Sequence, residues 1–170
     1  MCSFLKHFEV GEHLFFSTIG GVVVSLTRVQ LLLVEDTPED VRHFTNVVGS
    51  AAAISVAGSG AEAVDRLFRR GRFHAEPYPD LVVMDLNVPL LNGHEVLNVV
   101  RANSETRHLP VIVYSVSDNP NDIMKAYELG ACAYMVKPMD INDTQSQLEA
   151  FVQFWLKNVR YGSYPGTKSA

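Results

Sequence analysis

Four short apolar runs in this chain end in residues able to do chemistry. Val29–Val34 (VQLLLV) ends in Glu35-Asp36, Leu81–Met84 (LVVM) in Asp85, Val111–Tyr114 (VIVY) in Ser115, and Ala133–Val136 (AYMV) in Lys137-Pro138. Three carboxylates at one edge repel one another unless something positive joins them. A hard divalent cation is the natural counter-charge, and Mg²⁺ prefers oxygen ligands while keeping several waters. Glu35, Asp36 and Asp85 supply such oxygens, and Asn87 can add a backbone carbonyl. With its charge offset, Asp85 can serve as a nucleophile toward phosphorus and form an aspartyl phosphate. Lys137 would then pair with the phosphoryl oxygens, and Ser115 would donate a hydroxyl hydrogen bond to the same group.

These residues must be positioned by strands. Short continuous apolar runs read as strands covered on both faces, as in a parallel sheet, whose ligand sites lie beyond the carboxyl ends of the strands. Between the runs lie helical patterns. Thr37 suits an N-cap and Pro38 the first helical position of a helix reaching about Val48. Ile54–Ala57 reads as a further strand, Gly58-Ser59-Gly60 as a turn, and Ala61–Arg70 as a helix. Gly93–Ala102, Asn121–Leu129 and Ile141–Val159 give three more helices. Five strands alternating with five helices imply an α/β, doubly wound sandwich with right-handed crossovers.

Apolar residues make up 47% of the 170-residue chain, enough for one domain with a sizeable core. The net charge is −5, and the Arg66/Arg69/Arg70/Arg72 cluster is read as a solvated helix end rather than a nucleic-acid footprint. Cys2 and Cys132 have no metal-ligand spacing, and a reducing cytosol is the expected compartment. Leu14–Leu26 is apolar but too short to span a membrane. Residues 1–28 are read as an irregular extension that need not be native, with Val24 as the alternative start. Residues 29–159 form the domain, and residues 160–170 a disordered tail.

Taken together, LLLVED (31–36), DLVVMDLNVP (80–89), Gly93, LPVIVYS (109–115) and GACAYMVKP (130–138) resemble the receiver domain of bacterial response regulators. The segment YELGACAYMVKPMDIND (127–143) with Phe151-Val152-Gln153-Phe154-Trp155 is similar to the single-domain regulators that serve bacterial phytochromes. The resemblance implies a flavodoxin-like (βα)5 fold with strand order 2-1-3-4-5. It implies that Asp85 is the phosphoacceptor, that Glu35 and Asp36 hold Mg²⁺ with Asp85 and the Asn87 carbonyl, and that Lys137 is the family's lysine. Ser115 matches the hydroxyl that moves toward the phosphoryl group, and Tyr134 the aromatic residue that turns inward after it. The Lys137–Pro138 bond is expected to be cis.

Signalling follows from these roles. A phosphoryl group on Asp85 draws Ser115, Tyr134 fills the space, and the surface of the fourth helix, fifth strand and last helix is biased. A sensor histidine kinase, phytochrome-like by the narrower resemblance, is the expected donor. Output is expected through a partner or a homodimer on that surface, where Phe151, Phe154, Trp155 and Val159 offer an apolar face. Neither nucleic acid nor membrane is an expected partner. Asn87 and Ser117 are placed to flank an attacking water and tune the phosphoryl lifetime. Two other readings compete: a small aspartyl-phosphate phosphatase, which would want an acid where Asn87 stands, and an interaction module without phosphorylation.

Overall fold

The computed structural model describes residues 7–9, 14–19 and 22–162 of the chain. The first three strands, β1 (His7–Glu9), β2 (Leu14–Ile19) and β3 (Val22–Thr27), form an antiparallel sheet of their own in the order β1-β2-β3. This corrects the expectation of an irregular extension. The signal was present: Gly20-Gly21 between an aromatic-rich run (LFFSTI) and a β-branched one (VVVSLT) is a hairpin signature.

The second sheet holds β4 (Val29–Val34), β5 (Ala52–Ala57), β6 (Leu81–Met84), β7 (Val111–Ser115) and β8 (Ala133–Val136). All pairs are parallel and the order is β5-β4-β6-β7-β8, which is 2-1-3-4-5 within this sheet. Residues of β4, β6 and β7 alternate between two apolar layers. Leu32, Val34, Val82, Met84, Val111 and Val113 meet Ala63, Leu67, Val96, Leu97 and Ala126. Those partners come from α2 (Gly60–Leu67), α3 (Gly93–Ala102) and α4 (Pro120–Glu128). On the other face Leu31, Leu33, Leu81, Val83, Ile112 and Tyr114 meet Phe44, Val48, Leu148 and Phe151 of α1 (Pro38–Val48) and α5 (Ile141–Phe151). Burial on both faces is why these strands read as unbroken apolar runs.

The last helix departs from the expected single α-helix. After Phe151 it continues as π-helical turns over Val152–Asn158, ending with the Val159 N–H donating to the Phe154 carbonyl at 3.1 Å. The Asn158 side-chain amide donates to the Gln153 carbonyl at 2.6 Å, a local competitor for an α-helical acceptor. Arg160–Gly162, expected to begin the tail, are placed: the Tyr161 hydroxyl donates to the Trp155 carbonyl at 2.7 Å and its ring packs on the α1/α5 layer. Residues 163–170, the rest of that tail, lie outside the described residues. The chain has no cis peptide among the described residues, so Lys137–Pro138 is trans, contrary to expectation.

Candidate functional site

The parallel ladder runs one residue past the apolar runs, and this fixes the site backbone. Glu35 N–H donates to the Ala57 carbonyl at 2.9 Å, Asp85 N–H to Val34 at 3.0 Å, and Lys137 N–H to Ser115 at 2.8 Å. Each side chain that follows a run is thus launched from a paired backbone at the same sheet edge. The loop after Asp85 is held by the Gly93 N–H donating to the Leu86 carbonyl at 2.9 Å, and α3 opens with a capping box between Asn92 and Glu95. Gly93 is required by close approach: a Cβ there would lie 2.8 Å from the Asp85 carbonyl oxygen and 2.9 Å from the Leu86 Cα.

Lys137 is the centre of the constellation. Its Nζ donates to Glu35 Oε2 at 2.6 Å, Asp40 Oδ2 at 2.7 Å and Asp85 Oδ2 at 2.8 Å. Asp85 Oδ1 accepts from the Ser115 hydroxyl at 2.7 Å and from the Asn87 N–H at 3.1 Å. Glu35 Oε1 accepts from the Thr37 N–H at 3.0 Å. Glu35, Asp85, Ser115 and Lys137 are all buried, at 3%, 7%, 0% and 9% exposure, so these bonds form away from bulk water and stay strong.

Burial and pairing divide the two buried carboxylates. Burial pushes the Asp85 carboxyl up, but hydrogen bonds from Lys137, Ser115 and the Asn87 N–H outweigh it and hold Asp85 below the usual carboxylate range. For Glu35 burial prevails over the pairing with Lys137, and the carboxyl lies above its ordinary value. Burial alone would lower Lys137, yet the carboxylates of Asp40, Asp85 and Glu35 hold it above the usual lysine range. The ammonium therefore stays charged, and Asp85 stays ionised and available as a nucleophile.

Of the residues singled out from sequence, Glu35, Asp85, Ser115 and Lys137 come together, with the Asn87 backbone beside them. Asp36 is exposed next to the cluster. Tyr134, one strand away, is half-buried on the α2–α4 side, and its hydroxyl donates to the Ser117 carbonyl at 2.9 Å. Ser117 in turn donates to Asp122 Oδ2 at 2.7 Å. Two residues were missed. Asp40 looks like an ordinary first-turn acid of α1, and Tyr114 like one more apolar strand residue. Tyr114 lies beneath the ammonium, with Lys137 Nζ 5.6 Å from its ring centroid, and its buried hydroxyl has no hydrogen-bond partner among the described residues.

The donor set suits a hard cation. Two buried carboxylates, an exposed third and a nearby backbone carbonyl are oxygen ligands, and Glu35, raised by burial even beside an ammonium, has room for further positive charge. Among the described residues no three His, Cys, Asp or Glu side chains stand in direct metal-holding arrangement. The reason is visible: Glu35, Asp40 and Asp85 converge on the Lys137 ammonium rather than on a common point of their own.

Comparison with known proteins bears on the domain as a whole. Residues 31–149 match the family model of the response regulator receiver domain. The chain is 30% identical to response regulator Rcp1 of Synechocystis sp., over 76% of this chain and 90% of that protein. The Mn²⁺-bound form of Rcp1 superposes with a TM-score of 0.77 at 29% identity, over 79% of this chain and 99% of that one. The phosphorylated cyanobacterial phytochrome response regulator RcpA also gives 0.77, at 27% identity, over 81% of this chain and 100% of that one.

Proposed function

Because this chain belongs to the response regulator receiver domain family of two-component systems, in which phosphorylation on an aspartate is general, we propose that Asp85 is its phosphoacceptor. The observation that carries this reading is the pair of bonds on Asp85: Lys137 Nζ at 2.8 Å on one oxygen and the Ser115 hydroxyl at 2.7 Å on the other. An ionised Asp85 oxygen attacks phosphorus, an O–P bond forms, and the bond from phosphorus to the donor's leaving group breaks. With a phosphohistidine donor the P–N pair of electrons returns to the imidazole, which takes up a proton. Lys137 and the Ser115 hydroxyl are then placed to donate to the phosphoryl oxygens. Glu35, Asp36, Asp85 and the Asn87 carbonyl would hold Mg²⁺, which when bound supplies charge neutralisation to the transferring group. Beyond this self-phosphorylation and its reversal the protein acts as a switch rather than as an enzyme on other substrates.

The output route runs through Ser115 and Tyr134. Tyr134 ties β8 to the β7–α4 loop through Ser117, so movement of Ser115 changes a loop that α4 rests on. The donor is a sensor histidine kinase in the cytosol, phytochrome-like by the similarity to RcpA. A homodimer through α4, β8 and the last helix is supported by exposed Met124, Tyr127, Val136 and Phe154 on those elements. Nucleic acid is a poor partner, because Arg66 is paired to Glu62 and Glu76, Arg72 to Glu62 and Arg70 to Asp65. No helix among the described residues is long and apolar enough to cross a membrane.

The test is incubation with acetyl phosphate and Mg²⁺ followed by intact mass. A single added phosphoryl group, absent in Asp85→Asn and absent when the metal is chelated, is expected. Steady release of phosphate without labelling would point to a hydrolase, and neither signal to a phosphorylation-independent module.

A further inference from the structure

We propose that Asp40 is a positioning residue for the transfer at Asp85, holding the Lys137 ammonium in place before and after the phosphoryl group arrives. The inference rests on Asp85 being the phosphoacceptor. A lysine ammonium has three N–H groups. Here each meets a different carboxylate, and that of Asp40, at 2.7 Å, comes from the first turn of α1, 97 residues away in sequence. Glu35 and Asp85 are buried, whereas the Asp40 side chain is 40% exposed, so it approaches the ammonium from the solvent side. The Tyr114 ring, itself 6% exposed and in tilted contact with Phe44 of the same helix, walls off another side.

The consequence concerns what must move. When Asp85 becomes an acyl phosphate, the N–H now given to its Oδ2 can pass to a phosphoryl oxygen. The other two N–H groups keep Glu35 and Asp40, so the ammonium changes one acceptor without changing position. Without Asp40 one of those two anchors is lost, and the lysine has to be ordered during the transfer itself.

A second role for Asp40 is a first-turn charge favouring α1. Glu39 separates the two: it sits in the same turn, its side chain is 77% exposed, and it pairs with Arg42 at 3.6 Å rather than with Lys137. The experiment measures the labelling rate with acetyl phosphate at saturating Mg²⁺, with urea melts in parallel, for Asp40→Ala, Asp40→Asn and Glu39→Gln. The expected result is about a tenfold slower rate for Asp40→Ala, partial recovery in Asp40→Asn, whose amide oxygen still accepts, and an unchanged rate in Glu39→Gln. Equal rates in all variants, or equal slowing in Glu39→Gln, would overturn the proposal. If Asp40→Ala does not fold, the near-isosteric Asp40→Asn against Glu39→Gln decides it: a slower rate in Asp40→Asn alone supports, and equality refutes. Absence of labelling in the unmodified chain would instead remove the assignment of Asp85.

Discussion

Replacing Lys137 by Met tests the electrostatics of the whole site. The Lys137 side chain is 8% exposed and its ammonium is bonded within 2.8 Å to Glu35 and Asp85, whose side chains are 3% and 8% exposed, so its loss leaves two buried carboxylates facing each other. Removing one partner of a buried pair costs about 3–5 kcal/mol. The Asp40 contact adds little to this because that side chain is 40% exposed and water can replace the bond. Taking about 3 kcal/mol, the melting temperature should fall by about 6–12 °C for a domain of this size. The loss must depend on pH. In the native chain Asp85 lies below its unfolded value, so its contribution is present above the unfolded pKa and fades as pH falls through the folded one. Lys137 lies above its unfolded value, so its contribution is present below the unfolded pKa and fades only in strong base. In Lys137→Met the Ser115 and Asn87 bonds to Asp85 and the Thr37 bond to Glu35 remain, but burial loses its main opponent; both carboxyls are expected to rise, so that the folded state binds more protons than the unfolded one. Stability of the variant should then decrease as pH rises from about 5 to about 8, with a slope of up to about 1.4 kcal/mol per pH unit for each group. Urea titrations across that range, with and without Mg²⁺, give the answer: the gap to the native chain widens with pH and Mg²⁺ narrows it. A gap under about 1 kcal/mol, or one that does not change with pH, would refute the reasoning.

Gly93→Ala puts a Cβ 2.8 Å from the Asp85 carbonyl oxygen and 2.9 Å from the Leu86 Cα, so α3 must shift; denaturant titration should show a loss of about 1–3 kcal/mol, with slower phosphoryl uptake. Tyr114→Phe removes a buried hydroxyl that has no partner among the described residues and keeps the ring under Lys137; stability measured the same way should be unchanged or raised by about 1 kcal/mol. A loss of more than that would mean the hydroxyl has a hydrogen-bonded role. Ser115→Ala leaves Asp85 Oδ1 with only the Asn87 N–H; a loss of about 1–2 kcal/mol is expected, again by urea titration.

The strand ends were legible because sequence and sheet obey the same rule. A run buried on both faces must stop where the chain meets water, and in a parallel sheet all such stops fall at one edge. Glu35, Asp85, Ser115 and Lys137 therefore announced themselves together. What was not legible depends on contacts across the chain. Asp40 carries no local mark that separates it from any acid in a first helical turn, and its role exists only because Lys137 reaches it. Tyr114 fits an apolar strand as well as a valine would, so nothing local shows that its ring faces an ammonium. The π-helical turns after Phe151 likewise lack a sequence signature, since Val152 and Leu156 would face the same layer in an α-helix. The Gly20-Gly21 hairpin signal was available and was outweighed by reading the segment as irregular.

The bonds of Lys137 span 52, 97 and 102 residues, and the last strand is the one that delivers them. During synthesis, Glu35, Asp40 and Asp85 leave the ribosome well before the cation that reconciles them. Were a nascent chain to pair its strands as far as β7, its carboxyl edge would hold Glu35, Asp40 and Asp85 without their lysine until residue 137 docks. Competence to carry a signal is thereby tied to completion of the chain: a fragment ending short of β8 would hold the reactive aspartate yet lack the ammonium needed to stabilise what that aspartate receives.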